Sequence, residues 1–244
     1  MCFALISDLH ANLAAFEAVL THIDAQAPDA IVCLGDLVGY GPQPNEVVDL
    51  VRKRGIPCVE GNHDAGVNGR MPVGHFREPN QSVIKWTRDH LTPANLAFLQ
   101  SLPLMLDASC LSPTTHHQPP TKVLFVHSSP IEPEKWSYLD SAVKCRRVME
   151  QVDADLVCVG HTHIHGIVAA ELGVFGFEKG ERYVVNPGAV GQNRDGDLRA
   201  GYAMLDLVAW TCDFHKISYP VQETLDAFRS LGMDDATGRR LLHV

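Results

Sequence analysis

The stretch that decides the fold is CFALISDLHANLAAFEAVLTHIDAQ, residues 2–26. Its first part, CFALIS, is apolar at almost every position and of strand length. Unbroken apolar character, without alternation, fits a strand buried on both faces. The run stops at Asp8-Leu9-His10. Beyond it Leu13, Phe16, Leu20 and Ile23 recur at helical spacing. Asn12 suits the N-cap of that helix and is equally open to a substrate contact. Pro28 closes the unit.

The same alternation continues outward. AIVCLG (30–35) reads as a second buried strand, PNEVVDLVRKRG (44–55) as a helix ending at Gly55, and IPCVEG (56–61) as a third strand. Strand, helix, strand, helix, strand predicts a parallel sheet with helices packed against it. Residues 66–103 change texture. A Gly-rich stretch leads into two short helices, QSVIKWTRDHL and PANLAFLQSL, read as a helical cap insertion over the sheet's edge. LMLDASC and KVLFVH read as strands around the polar loop LSPTTHHQPPT (111–121). SAVKCRRVMEQ reads as a helix, DLVCVG as a strand, and GIVAA, RYVVN, GYAMLDLV and TCDFHKIS as short strands before a closing helix in VQETLDAFRSLG. No repeat or linker divides the chain, so residues 1–244 are read as one α/β domain: a sheet sandwich flanked by helices.

Composition narrows the function classes. The 244 residues are 45% hydrophobic and 20% charged, with a formal net charge of -9. That supports a sizeable core and excludes a disordered chain. The basic clusters Arg52-Lys53-Arg54, Arg146-Arg147 and Arg239-Arg240 are short, so no stable nucleic-acid binding is expected. The seven cysteines form no CxxC pair. Cys2, Cys33, Cys58, Cys158 and Cys212 sit in apolar runs, as buried thiols of a reducing compartment do. MCFALISDLH lacks the basic start of a signal peptide, and no apolar run approaches the roughly 20 residues of a membrane span. The expectation is a soluble cytoplasmic protein.

The polar residues then fall into a pattern. Apolar strands end in Asp8-Leu9-His10, Gly35-Asp36, Gly61-Asn62-His63-Asp64, His127 and Gly160-His161-Thr162-His163. Sites in open α/β sheets form beyond the carboxyl ends of strands, so these groups share a rim. Residues i and i+2 of an extended segment point the same way, which lets Asp8 and His10 share one metal. With His63 set aside, two Asp, one Asn and four His are too many ligands for one tetrahedral zinc. They suit two divalent metals sharing a carboxylate. Nitrogen and oxygen donors without thiolate favour manganese, iron or zinc over a sulfur-type site, and manganese is the expected ion.

The order Asp8-x-His10, Gly35-Asp36, Gly61-Asn62-His63-Asp64, His127, Gly160-His161-x-His163 resembles the calcineurin-like metallophosphoesterase superfamily. ISDLHANLAAFEAVL, GDLVGYGPQPNEVV, GNHD, GHTH and NPGAVGQNRDGD look like its bacterial and archaeal phosphodiesterase-like, or diadenosine-tetraphosphatase-like, branch. The resemblance implies a four-layer α/β/β/α sandwich. It also implies hydrolysis of phosphodiesters or small phosphate esters by metal-activated hydroxide, and a capacity to self-associate. It assigns Asp8, His10 and His163 to one metal, Asn62, His127 and His161 to the other, and Asp36 to both. His63 would act at the leaving group as general acid or phosphate contact. In the superfamily's protein-phosphatase branch an Asp and an Arg follow the Gly-Asp. Here Gly39 and Tyr40 stand there, so His63 lacks a carboxylate partner and Arg194 becomes the candidate phosphate clamp.

Alternatives within the same metal chemistry are a nucleotide pyrophosphatase or phosphomonoesterase. From another class, the alternative is a low-turnover protein that binds a phosphate ligand through its metals. Among the remaining residues, His165 reads as a surface or supporting histidine, and His75 and Arg77 as exposed. Tyr40 could stack on a base or simply pack. Trp86 and Trp136 read as packing residues, Asn186-Pro187-Gly188 as a turn, and His116 and His117 as solvated loop residues.

Overall fold

The computed structural model describes residues 1–78, 80–111, 121–232, 238 and 241. His116 and His117, and Arg239-Arg240, lie outside the described residues.

The opening stretch forms β1 (Cys2–Ile6) and α1 (Leu13–Gln26). It is followed by β2 (Ala30–Cys33) and α2 (Pro44–Arg54), the latter with Pro at its first turn and Gly55 in the left-handed C-cap. Next come α3 (Asn62–Asn68), α4 (Asn80–His90) and α5 (Pro93–Ser101). Then follow β3 (Met105–Asp107), β4 (Val123–Val126), α6 (Ala142–Met149), β5 (Leu156–Cys158), β6 (Gly166–Ala169), β7 (Tyr183–Asn186), β8 (Ala200–Asp206), β9 (Thr211–Ile217) and α7 (Val221–Ser230).

Two sheets result, ordered β2-β1-β8-β9 and β3-β4-β5-β7-β6. β1 alternates between two cores, as the pleat requires. Ala4 and Ile6 pack with Phe16, Val19, Leu20 and Ile23 of α1 and with the valines of α2. Phe3 and Leu5 pack instead with Phe125, Leu156, Cys158, Tyr183 and Val185 of the second sheet. That sheet's other face places Val126, Val157 and Val184 against Cys145 and Met149 of α6. Helix, sheet, sheet and helix are therefore stacked layers, the α/β/β/α architecture the resemblance implied.

Two expectations are corrected. Neither sheet is wholly parallel: β1 pairs with β2 in parallel but with β8 antiparallel, and the second sheet is parallel only at β4-β5-β7. The third strand, residues 56–61, is reduced to one bridge between Cys33 and Cys58. It turns away to reach the helical segment, where Glu60 N–H donates to the Pro103 carbonyl and the buried Glu60 carboxylate accepts from Asn68 and Arg70. The Gly-rich start of that segment is partly helical, because α3 begins at Asn62 itself.

Candidate metal centre

The loops after β1, β2, β4 and β5 meet on one rim. The Asp8 and His10 amides donate to the Gly35 and Asp36 carbonyls, so the chain beyond β1 runs beside the chain beyond β2. Gly160 N–H donates to the His127 carbonyl in the second sheet, and His161 N–H donates to Asp8 Oδ2 across the two sheets. The segment carrying Asp8 and His10 is not extended, as the spacing argument assumed. Asp8, His10, Asp36, His161 and His163 all hold left-handed backbone, with φ between 47° and 66°. Such a conformation costs about 1 kcal/mol or more for each non-glycine residue, and it collects at functional sites.

Asp8, His10, Asp36 and His163 bring ligand atoms within 4.8 Å of one another, and so do Asp36, His127 and His161. Asp36 belongs to both groups. Its Oδ2 lies 3.7 Å from His10 Nε2 and 3.4 Å from His127 Nε2. Asn62 completes the second group, with Oδ1 3.2 Å from His127 Nε2. The structure thus gathers all seven of the proposed ligands, each of them buried.

The far side of each histidine explains why the near side suits a cation. His10 Nδ1 meets the Val38 carbonyl at 3.2 Å, His127 Nδ1 the Leu34 carbonyl at 2.7 Å, and His163 Nδ1 the Gln192 carbonyl at 2.5 Å. His161 Nε2 meets the Trp136 carbonyl at 3.1 Å. A carbonyl only accepts, so each of these nitrogens carries the proton, and in a neutral ring the other nitrogen is a bare lone pair. Those lone pairs face each other: His10 Nε2 and His163 Nε2 are 3.1 Å apart, and His127 Nε2 and His161 Nδ1 3.2 Å. Asp8 Oδ1 is buried beside them with no hydrogen-bond partner. Opposed acceptors and an orphaned carboxylate oxygen repel one another unless a positive charge sits between them. The donor set therefore fits divalent cations.

The charges agree. Burial pushes His10 well below the usual imidazole range, and burial with the nearby His127 charge pushes His161 down to about 3. Burial also acts against the ionised form of Asp36, but the charge and hydrogen bond of His127 outweigh it and hold the carboxyl well below its usual range. His127 is the exception. Burial would lower it, yet the Asp36 charge and hydrogen bond, with the Asp8 charge, raise it to about 10. Without a cation the cluster draws one proton to the place a cation would take.

His63 borders this cluster. Its amide donates to Asp36 Oδ1 at 2.8 Å, and its ring packs against Tyr40, His10 and Phe76. Nδ1 is buried without a partner. It faces Gly39, where an added Cβ would lie 2.3 Å away, so no side chain at this position could pair with it. Burial lowers His63 to about 4, with partial opposition from Asp36.

The candidate ligands open on a cavity of about 490 Å³. Tyr40 and Arg194 line it, together with Arg77, Lys135, Trp136 and Tyr138. Tyr138 stacks on His161 at 3.8 Å. His75 and Arg77 face this cavity too. Asn12 does not. It is fully buried, its Oδ1 accepts from Ala15 N–H and the Thr224 hydroxyl, and its Nδ2 donates to the Gly191 carbonyl, so it is the helix cap and not a substrate contact. Asp64 was missed as a supporting residue. Its buried carboxylate accepts from the Leu37, Val38 and Gly61 amides and so ties the Asp36 loop to the Asn62 helix. The supporting carbonyls of Leu34, Val38, Trp136 and Gln192 carry no side-chain signal that a sequence could reveal.

Comparison with known proteins places this geometry. Residues 1–209 match a family model described as the calcineurin-like phosphoesterase superfamily domain. An uncharacterized protein of Methanocaldococcus jannaschii is 34% identical over 249 residues, covering 98% of this chain and 96% of its own. A solved metallophosphoesterase of Sphaerobacter thermophilus is similar with a TM-score of 0.79 at 36% identity, over 99% of this chain and 98% of that one. A hypothetical protein of Pyrococcus horikoshii shares the fold, with a TM-score of 0.81 at 17% identity over 98% and 97% of the two chains.

Proposed function

The chain belongs to the calcineurin-like phosphoesterase superfamily, and from that premise we propose that it is a dinuclear metal-dependent phosphoesterase acting on phosphodiesters or small phosphate esters. The single observation that carries the reading is the set of four histidines, each pinned from behind by a main-chain carbonyl, with lone pairs converging around the shared Asp36. Asp8, His10 and His163 would hold one cation, Asn62, His127 and His161 the second, and Asp36 both.

When bound, such a pair of divalent ions, manganese the expected one with iron or zinc as alternatives, would supply Lewis acidity and an activated water. The protein's own groups do the rest. The carbonyl contacts fix the ring orientations. Arg194, Arg77 and Lys135 give an acidic chain a local cationic wall for an anionic substrate. His63 lines the cavity and is neutral, and with Nδ1 buried against Gly39 it would meet substrate through Nε2, with the ring proton carried there. That makes it a hydrogen-bond donor to a phosphate or leaving-group oxygen. The expected partner is a small phosphate ester in the cytoplasm, with no stable nucleic-acid binding and no membrane attachment. Among the described residues no helix is long and apolar enough to cross a membrane.

The test is hydrolysis of bis-p-nitrophenyl phosphate and p-nitrophenyl phosphate with added manganese, in the parent and in Asp36→Asn. The parent should turn over the diester, and the variant should lose most activity and hold fewer than two ions per chain. Parental activity and metal content in Asp36→Asn would refute the bridging role. A metal-loaded parent that cleaves neither ester, and whose His63→Ala form binds phosphate equally well, is a binding protein and not an enzyme.

A further inference from the structure

Lys216 lies on β9, the edge strand of the first sheet, and contributes nothing to the metal cluster. Its side chain is only 15% exposed. An ammonium is held there for a reason the fold makes visible. Its register partner on β8 is Gly201, which has no side chain to obstruct it. Nζ therefore reaches the 191–195 loop, donating to Asn193 Oδ1 at 3.0 Å and to Asp195 Oδ2 at 2.5 Å. Asp195 also meets His165 Nδ1 at 3.3 Å. The two residues gripped are the immediate neighbours of Arg194.

This loop is part of the site. Gly191 N–H donates to the Asp8 carbonyl, the Gln192 carbonyl holds His163 Nδ1, and Arg194 N–H donates to the His163 carbonyl. Arg194 lines the cavity, and its guanidinium donates to Gln192 Oε1 at 3.3 Å. Among the described residues no carboxylate pairs with that guanidinium, so its direction depends on the loop that carries it. A lysine pinning the residues on either side from the sheet edge fixes the segment between them.

We propose that Lys216 is a positioning residue that, through Asn193 and Asp195, sets Arg194 against the substrate's phosphate. The inference rests on the phosphoesterase reading but asks a separate question: which residue aims the clamp. The grip is worth a charge-assisted hydrogen bond on phosphate, so its loss weakens phosphate binding by about 10- to 100-fold.

The experiment measures inorganic phosphate affinity by calorimetry on manganese-loaded parent, Lys216→Met, Lys216→Arg, Arg194→Met and the Lys216→Met/Arg194→Met pair. KM and kcat for bis-p-nitrophenyl phosphate, metal content and melting temperature are measured alongside. Lys216→Met should lose about as much phosphate affinity as Arg194→Met, within that 10- to 100-fold range. KM should rise more than kcat falls, and metal content should hold. The double variant should be no worse than Arg194→Met alone, and Lys216→Arg should recover most of the affinity. Unchanged phosphate affinity in Lys216→Met, or additive losses in the double variant, overturns the positioning role while the phosphoesterase reading stands. A metal-loaded parent that neither binds phosphate nor cleaves ester overturns both.

Discussion

Gly39→Ala separates the metal centre from the histidine beside it. Gly39 has φ +87°, a left-handed value that an alanine reaches only at a cost of about 1–2 kcal/mol. The added Cβ would lie 2.3 Å from His63 Nδ1 and 2.9 Å from Cγ, against the 3.4 Å of ordinary contact, so the ring must retreat by about 1 Å. It has nowhere easy to go, with Tyr40 at 4.5 Å, His10 at 4.9 Å and Phe76 at 5.3 Å between ring centroids. Overpacking of this kind adds about 1–3 kcal/mol, for a total destabilisation of about 2–5 kcal/mol. A misplacement of that size costs about 100-fold in rate. The three atoms nearest the new methyl all belong to His63, so metal content should be parental. The assay is kcat on bis-p-nitrophenyl phosphate at saturating manganese, with metal analysis and a thermal melt. In a His63→Ala background the ring contacts at 2.3 and 2.9 Å are gone and only Cβ, at 3.1 Å, remains, so the glycine substitution should leave kcat close to where His63→Ala alone put it. Parental kcat in Gly39→Ala would refute the reasoning, as would an equal further loss in the His63→Ala background.

Two other outcomes follow from the geometry. Phe3 and Phe125 meet edge-on, 5.6 Å apart, between the two sheets, and Phe3 is fully buried, so Phe3→Ala should cost about 3–5 kcal/mol in chemical denaturation. A loss near zero would mean that this core does not join the sheets. In the metal-free protein His127 is raised from its ordinary 6.5 to about 10, so its contribution to stability is complete below pH 6.5 and is lost as pH rises through about 10. Divalent metal must displace that proton, so manganese affinity should climb with pH across this window, by at most about tenfold per unit for one proton. Calorimetry in two buffers of different ionisation enthalpy should detect the released proton. An affinity that is flat with pH, without proton release, would show that His127 is already neutral.

The rim was legible because each candidate ligand follows an apolar run, a strand for all but Asn62, and burial on both faces leaves the strand ends as the place where polar side chains must collect. Residues 2–36 alone carry three of the seven ligands and the first β-α-β unit. What stayed hidden depends on contacts distant in the chain. Nothing local announces that β8, some two hundred residues away, will lie antiparallel beside β1. Their i, i+2 spacing suggests that Asp8 and His10 lie side by side on an extended segment. They converge instead on left-handed backbone held by the Gly35 and Asp36 carbonyls. Asn12 was divided between two roles because only its distant partners, Gly191 and Thr224, decide between them. Gly39 signalled the missing partner of His63, but the tightness of the fit between them is a fact of packing alone.

The left-handed residues of the rim set stability against turnover at positions 8, 10, 36, 161 and 163. Glycine would relax the backbone at each of them while deleting a ligand. A screen that rewards heat tolerance without scoring catalysis would therefore enrich inactive chains first, and descendants freed from hydrolytic duty would drift the same way. Thermal improvement of a working enzyme has to be sought in the sheets and the outer helices.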